Sequence, residues 1–529
     1  MLKQEEKQLS FYSTLYEKIP ETHLLKRINK AVDFSFINEI VESSYCKNFG
    51  RPAKEPELMA KLLFLEYLYN LSDVRVIEEA TYNLVFLWFL GLNPDDRLPN
   101  ASLLAKFRTL RLKECTLDEI MSEIVRQCVE TKIIKSKEVS IDATHVGANC
   151  VKLVPERIMK HLAIRIFKAL EKDLGEIPEG IDRNIPDDKS IEDHKKAKAT
   201  MKAYLEKVMN EAAAHAGENT KAAIEEAMDV LSDERFIIQK GLRSLSDPDA
   251  RVGHKSATDT FFGYKTEFAM TPDERIITAI DVHGGEYVDG KEADKLIEKT
   301  EAAGVEVKTV YGDKAYFRKD ILEMLEDKQI EGVIPVSASV YKIDEELHSY
   351  NKDSDQWFCF MGNHTVGCKK NTQGNGRGDT YEIYTYVFKK EQCAQCPYRE
   401  QCIGKAKGRA KKLRVTNSAP IFYQISQEQK KPEFKEKYKK RASIEWKNAE
   451  MKHLHGMARA RGWGKRSVTF QIKLTAIAVN LKRIAAIMAK QEAESASCAA
   501  VVACLSGISS EFWNFFAFLV ARSHRRIAI

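Results

Sequence analysis

From Pro56 the chain reads PELMAKLLFLEYLYNLS and then DVRVIEEATYNLVFLWFLG, with apolar residues recurring every three to four positions. That period predicts helices, with Ser72 capping the second and Gly91 stopping it. NASLLAKFRTLRL predicts another helix after Pro99. Short helices ending in a basic one suit a DNA-binding helical module over residues 1–130; a plain helical bundle fits the same pattern. At Lys137 the texture changes. EVSIDATHV predicts a strand with Asp142 at its end. The Ala-, Lys- and Glu-rich stretch HKKAKATMKAYLEKVMNEAAAHAG predicts long solvated helices, a spacer or arm, in a helical insertion over about residues 151–246. FFGYKTEFAMTPDERIITAIDVH predicts two antiparallel strands turning at Pro272–Asp273. LIEKTEAAGVEV predicts a helix, KTVYGDKAYF a strand ending in Asp313, and IEGVIPVSA a further strand. Short strands, loops and cysteines over about 344–426 predict a second insertion, and basic helices follow to Lys490. Strands alternating with helices predict an α/β class. Beyond residue 490 the tail is apolar. Ala496–Val520 has the length of a membrane span, but Glu511, Asn514 and several serines within it favour a packed terminal helix and no membrane partner.

The length of 529 residues exceeds one ordinary domain, and 44% hydrophobic content suffices for real cores. Charge changes the picture more. The net charge is only +6, yet from Ile403 to Lys490 there are 23 Lys and Arg against 5 Asp and Glu, a net of +18. A basic block on an otherwise acidic chain points to a polyanion, most often nucleic acid; the alternative is a solvated lysine-rich surface. The start, MLKQEEKQLS, is charged and lacks the apolar core of a signal peptide. Eleven mostly scattered cysteines suit a reducing cytoplasm rather than a disulfide framework.

Within the basic block sits one conspicuous acid, Glu445. On an α-helix at about 100° per residue, Tyr438, Arg441, Glu445 and Lys452 share an arc of about 60°. Ile444, Met451 and Leu454 fall on the opposite side and predict the buried face. The helix thus presents an acid flanked by a phenol and two cations. Asp142 and Asp313, each predicted where an apolar strand meets a polar turn, would be fixed by the strand while the loop leaves an opening. One such aspartate is an ordinary turn former. Two on neighbouring strands with a third acid on a helix make a site for hard divalent cations such as Mg²⁺, and two ions held this way suit phosphoryl transfer.

Tyr438-x2-Arg441-x3-Glu445-x6-Lys452 resembles the Y-R-E-K signature of bacterial insertion-sequence transposases with a DDE triad. SIDATHV around Asp142 and VYGDKAYF around Asp313 resemble the segments holding the first two acids, DPDAR and FGYKTEFAM resemble the stretch between them, and GRPAKEPELMAKLLFLEYLYNLSDVRVIEEA resembles the preceding DNA-binding region. The resemblance covers about residues 30–490. It implies an RNase H-like fold in residues 131–490: a mixed five-stranded sheet with flanking helices, Asp142 on the first strand, Asp313 on the fourth and Glu445 on a helix after an insertion. It also implies a Mg²⁺- or Mn²⁺-dependent enzyme, with two ions, that cuts element ends and joins them to target DNA. Tyr438, Arg441 and Lys452 would contact phosphates, in a homodimer on nucleoid DNA. The long helical stretch between the first two acids and the apolar tail at 491–529 depart from the family pattern. Another RNase H-like nuclease or integrase, or an inactive transposase-derived DNA-binding protein, are the alternatives.

EQCAQCPYREQC places Cys393, Cys396 and Cys402 close together, with Cys359 some tens of residues earlier. Three close thiols and a distant fourth suit a structural tetrahedral Zn²⁺ site; the alternative is reduced, unligated thiols. His145 reads as a structural hydrogen-bonder, and Asp289 either as an electrostatic support or as a helix N-cap.

Overall fold

The computed structural model describes residues 10–46, 52–187, 193–256, 258–374, 380–403 and 410–524; beyond residue 495 it describes the backbone alone. Seven helices come first: α1 (Leu24–Ala31), α2 (Phe36–Glu42), α3 (Pro56–Leu68), α4 (Asp73–Tyr82), α5 (Leu84–Phe89), α6 (Ser102–Leu110) and α7 (Glu114–Glu130). Ser72 caps α4 by accepting from the Arg75 amide at 3.3 Å. The single helix expected to run to Gly91 is broken at Asn83. That side chain accepts from the Val85 and Phe86 amides and starts α5 afresh, as an Asn N-cap does.

The sheet is built from β1 (Glu138–Gly147), β2 (Arg251–His254), β3 (Thr260–Met270), β4 (Ile277–Gly284), β5 (Thr309–Tyr311) and β6 (Glu331–Val333). Its main order is β4-β3-β1-β5-β6, with β2 pairing the start of β3. β3 runs antiparallel to both β1 and β4, whereas β1, β5 and β6 are parallel. The turn at Pro272–Asp273 joins β3 to β4 as expected. Asp142, however, does not end its strand. β1 continues five residues further, because Thr144 and Val146 keep the alternation going and pair with Thr266 and Tyr264 of β3.

Alternation along β1 sends its two faces to different cores. Val139 and Ile141 pack with α12 (Ala293–Ala302) and α13 (Lys319–Asp327). Val146, on the other face, joins a large core containing all seven N-terminal helices, together with Tyr264, Phe268 and Ile280. Among the described residues four helices close the chain: α16 (Ala419–Gln429), α17 (Pro432–Tyr438), α18 (Ala442–Leu454) and the long α19 (Lys465–His524). The first turns of α19, Val468 to Ala485, lie at the centre of that large core. Buried Asn480 there both donates to and accepts from the Ile277 backbone, at 2.7 and 2.8 Å, fastening α19 to β4.

Two units are inserted. Between β1 and β2, α8 (Pro155–Leu174), α9 (His194–Ala213), α10 (Glu218–Ser232) and α11 (Glu234–Ile237) share a core of their own. The expectation of solvated spacer helices is therefore corrected. Met201, Tyr204, Leu205, Val208 and Ala212 form a seam at helical spacing that closes on Ile158, Leu162 and Ile166. Between β6 and α16 lie β7 (His348–Asn351), β8 (Gln356–Cys359), β9 (Thr365–Gly374) and β10 (Thr380–Phe388), then short helices α14 (Lys390–Ala394) and α15 (Arg399–Ile403), and β11 (Lys412–Thr416). Their buried core is small: Trp357, Tyr386, Val415 and Ala419. Among the described residues no helix is long and apolar enough to cross a membrane. The side chains of the apolar tail beyond residue 495 lie outside the described residues.

Candidate active site

The pairing of β1 with β5 ends at Ser140 opposite Tyr311. Asp142 lies two residues further along β1, while β5 stops at Tyr311, so Asp313 does not end a strand as expected but opens the turn two residues beyond it, close enough for its charge to be felt at Asp142. Asp142 is buried, and its carboxyl is pushed up to about 6, chiefly by burial and further by the Asp313 charge, against the pull of Arg441. Asp313 also accepts from the Ala315 amide at 2.8 Å, capping the turn that follows β5.

Basic residues clamp the segment from α17 to α18 across the strand ends. Lys437 pairs with Glu331 on β6, and Lys440 reaches Glu138 on β1 at 2.6 Å and Asp273 in the β3–β4 turn at 3.3 Å. Arg441, ending the 3₁₀ turn Lys439–Arg441, then sits between two acids. Its guanidinium donates to Asp142 Oδ1 at 3.1 Å and to Glu445 Oε1 at 2.9 Å. Asn448 donates to the other Asp142 oxygen at 2.8 Å. The Arg441 side chain is mostly buried, whereas that of Glu445 is 64% exposed. The neighbouring acids hold the guanidinium more firmly charged than usual, against the cost of its burial.

Tyr438 is half-buried and stacks on Phe434 with ring centroids 5.9 Å apart; burial pushes its hydroxyl pKa up. Lys452 is also half-buried, and burial with the nearby Lys255 charge pushes its ammonium down. His145 packs on Phe261 at 5.0 Å, and burial, with Lys452 and Lys255, takes its ring down to about 4, so it is neutral at physiological pH. Asp289 accepts from Lys265 Nζ at 2.8 Å and is not a cap, because α12 begins after Glu292.

The buried face of α18 differs from expectation at one position. Ile444 and Met451 are buried, but Leu454 is 58% exposed. Lys447 takes its place inside, paired with Glu450 at 2.8 Å. Asn448 went unread in the sequence, although it lies on the same arc of the helix as Arg441 and Glu445; an uncharged amide carries no signal in a search for acids and cations.

Cys359, Cys393, Cys396 and Cys402 are free thiols and line one cavity, with His348 and Lys411. His348 stands directly opposite Cys359 in the β7–β8 pair and is buried, which pushes its ring pKa down. Burial raises the Cys402 thiol pKa; the Lys411 charge opposes this, and the other three thiols add to it. Among the described residues, no three His, Cys, Asp or Glu side chains stand as a ready metal-holding group, at the acids or at the thiols.

A family model described as a transposase domain (DUF772) matches residues 13–110, and one described as a transposase DDE domain matches residues 358–485. No curated protein matches. Among solved structures, a piggyBac transposase synaptic complex with hairpin DNA is similar over 90% of this chain and 77% of that chain, at 9% identity and a TM-score of 0.33. The first family match covers the helices α1 to α6, and the second runs from the thiol-lined cavity through Arg441, Glu445 and Asn448 into the buried part of α19: the chain is a DNA transposase of the DDE type.

Proposed function

We propose that this transposase cuts the ends of an insertion sequence and joins them to target DNA on an RNase H-like domain, with Asp142, Asp313 and Glu445 as its catalytic acids. One observation carries the reading: Asp142 on β1 feels the charge of Asp313 in the turn after the neighbouring parallel strand β5, and Arg441 links Asp142 to Glu445 on a basic helix. The strand order and directions support the RNase H-like assignment. The N-terminal helices serve as a DNA-binding region.

The donor set is all carboxylate oxygen, which fits hard divalent cations, and burial makes the Asp142 charge costly until a cation offsets it. Mg²⁺ or Mn²⁺, as two ions held by Asp142, Asp313 and Glu445, would supply Lewis-acid charge at the reacting phosphate. Arg441 and Lys452 bind phosphates, with Tyr438 beside them, so the strand is held with its scissile bond over the acids. Water attacks first, and the freed 3′-hydroxyl attacks target DNA next; no side chain becomes a nucleophile. Cys359, Cys393, Cys396 and Cys402, a soft-ligand set, would hold a structural Zn²⁺ that serves stability rather than chemistry. The protein acts as a homodimer on nucleoid DNA in the cytoplasm.

The test is a plasmid carrying the DNA that flanks the gene, incubated with Mg²⁺, purified protein and a second plasmid as target. Cleavage followed by strand joining supports the proposal. Cleavage without joining would place the chain among other RNase H-like nucleases.

A further inference from the structure

Behind the acids, on the opposite face of the sheet, lies a carboxylate that the reading above does not use. Glu267 of β3 pairs with Ala143, the residue after Asp142, so its side chain points away from α18. It is fully buried, and it accepts three hydrogen bonds: from Tyr316 Oη at 2.6 Å, the Gly290 amide at 2.6 Å and Tyr287 Oη at 3.0 Å. Among the described residues these three hydrogen-bond partners are neutral, although burying a carboxylate without a cation is costly.

Those partners belong to two loops at the site. Tyr316 closes the turn that Asp313 opens, its amide donating to the Asp313 carbonyl at 3.1 Å. Tyr287 and Gly290 bracket Asp289. Gly290 has φ +77°, and a Cβ there would meet Ile321 at 2.6 Å and Tyr316 at 3.0 Å, so the loop approaches this closely only with glycine. The buried Tyr316 hydroxyl also feels the charges of Asp142 and Asp289.

We propose that Glu267 is a positioning residue for the divalent-cation site: it ties the Asp313 and Asp289 loops to β3 and adds a negative charge behind the acid pair, raising cation affinity. The inference rests on the reading of Asp142, Asp313 and Glu445 as the metal-holding acids. Charge and tether can be separated. Glu267→Gln keeps the shape and the acceptor for Tyr316 and Gly290 but removes the charge. Tyr316→Phe keeps the charge but removes one tether.

The experiment is Mn²⁺ titration of the full chain by calorimetry, with Mg²⁺ dependence of cleavage measured in parallel. E267Q should weaken Mn²⁺ binding by about tenfold, the scale on which outer-shell partners act on metal sites, and cleavage should recover at saturating Mg²⁺. Y316F should shift both in the same direction by less. Unchanged Mn²⁺ affinity and Mg²⁺ half-saturation in E267Q overturn the proposal, provided Asp313→Ala loses both; if Asp313→Ala also retains both, it is the assignment of the acids that fails, and this inference with it. Should E267Q not fold, Y316F and Tyr287→Phe decide, and unchanged Mn²⁺ affinity in both overturns it.

Discussion

The acid cluster and the thiol-lined cavity are built in opposite ways. Both oxygens of Asp142 are engaged by residues 299 and 306 positions away, Arg441 and Asn448. That cluster is held by strand register and by a helix clamped across the sheet. The four thiols come from one inserted unit with a small core, with buried His348 beside them. The first arrangement holds Asp142 with side chains from far along the chain. The second has little apolar burial to rely on, which is where proteins use metals to hold structure. Metal removal should therefore cost chemistry at one region and local stability at the other.

The largest effect should come from the acids. Asp142→Ala, Asp313→Ala and Glu445→Ala should each abolish cleavage in Mg²⁺ while binding to element ends survives, because no DNA-binding cation is touched. Gel-shift and cleavage assays side by side check this, and near wild-type cutting by any of the three would break the assignment.

Next comes the cavity. Protein purified without chelator should carry about one Zn²⁺ per chain. Cys396→Ser should lose it and become open to proteolysis between residues 344 and 426 before the acid cluster is disturbed. Zinc near zero by elemental analysis, or a Cys396–Cys402 disulfide in reduced cell extract, would remove the contrast between the two regions.

A third effect is graded. With the Asp142 carboxyl near 6, protons compete with the cation below that pH and not above it. Apparent Mg²⁺ affinity should fall by about tenfold for each pH unit below 6 and level off above it. A flat profile between pH 5 and about 7 would show that Asp142 is ionised throughout or holds no cation. The smallest effect concerns the cations. Arg441→Ala and Lys452→Ala should weaken binding to all sequences and reduce the salt slope by about 1 each; unchanged slopes in both count against phosphate contact.

Much of this was readable in the chain because it follows from periodicity. The strands around Asp142 and Asp313, the turn at Pro272–Asp273 and the shared arc of Arg441 and Glu445 need only periods of 2 and 3.6. What escaped reading depends on partners far away in sequence. Lys447 is inside because Glu450 meets it, and Lys482 meets Glu450 in turn. Asp142 lies inside its strand because β3 offers partners as far as Gly263. Glu267, one acid in FFGYKTEFAM, acquires meaning only once two tyrosines and a glycine amide are folded onto it.

The course of α19 sets an order of events during synthesis. The N-terminal helices bury their apolar faces against Val468–Ala485, which leave the ribosome more than 300 residues after α7. At about 5–20 residues per second the wait lasts on the order of half a minute. Throughout it the first seven helices show an unfinished apolar surface, and a message cut short before α19 yields a product that cannot close its largest core.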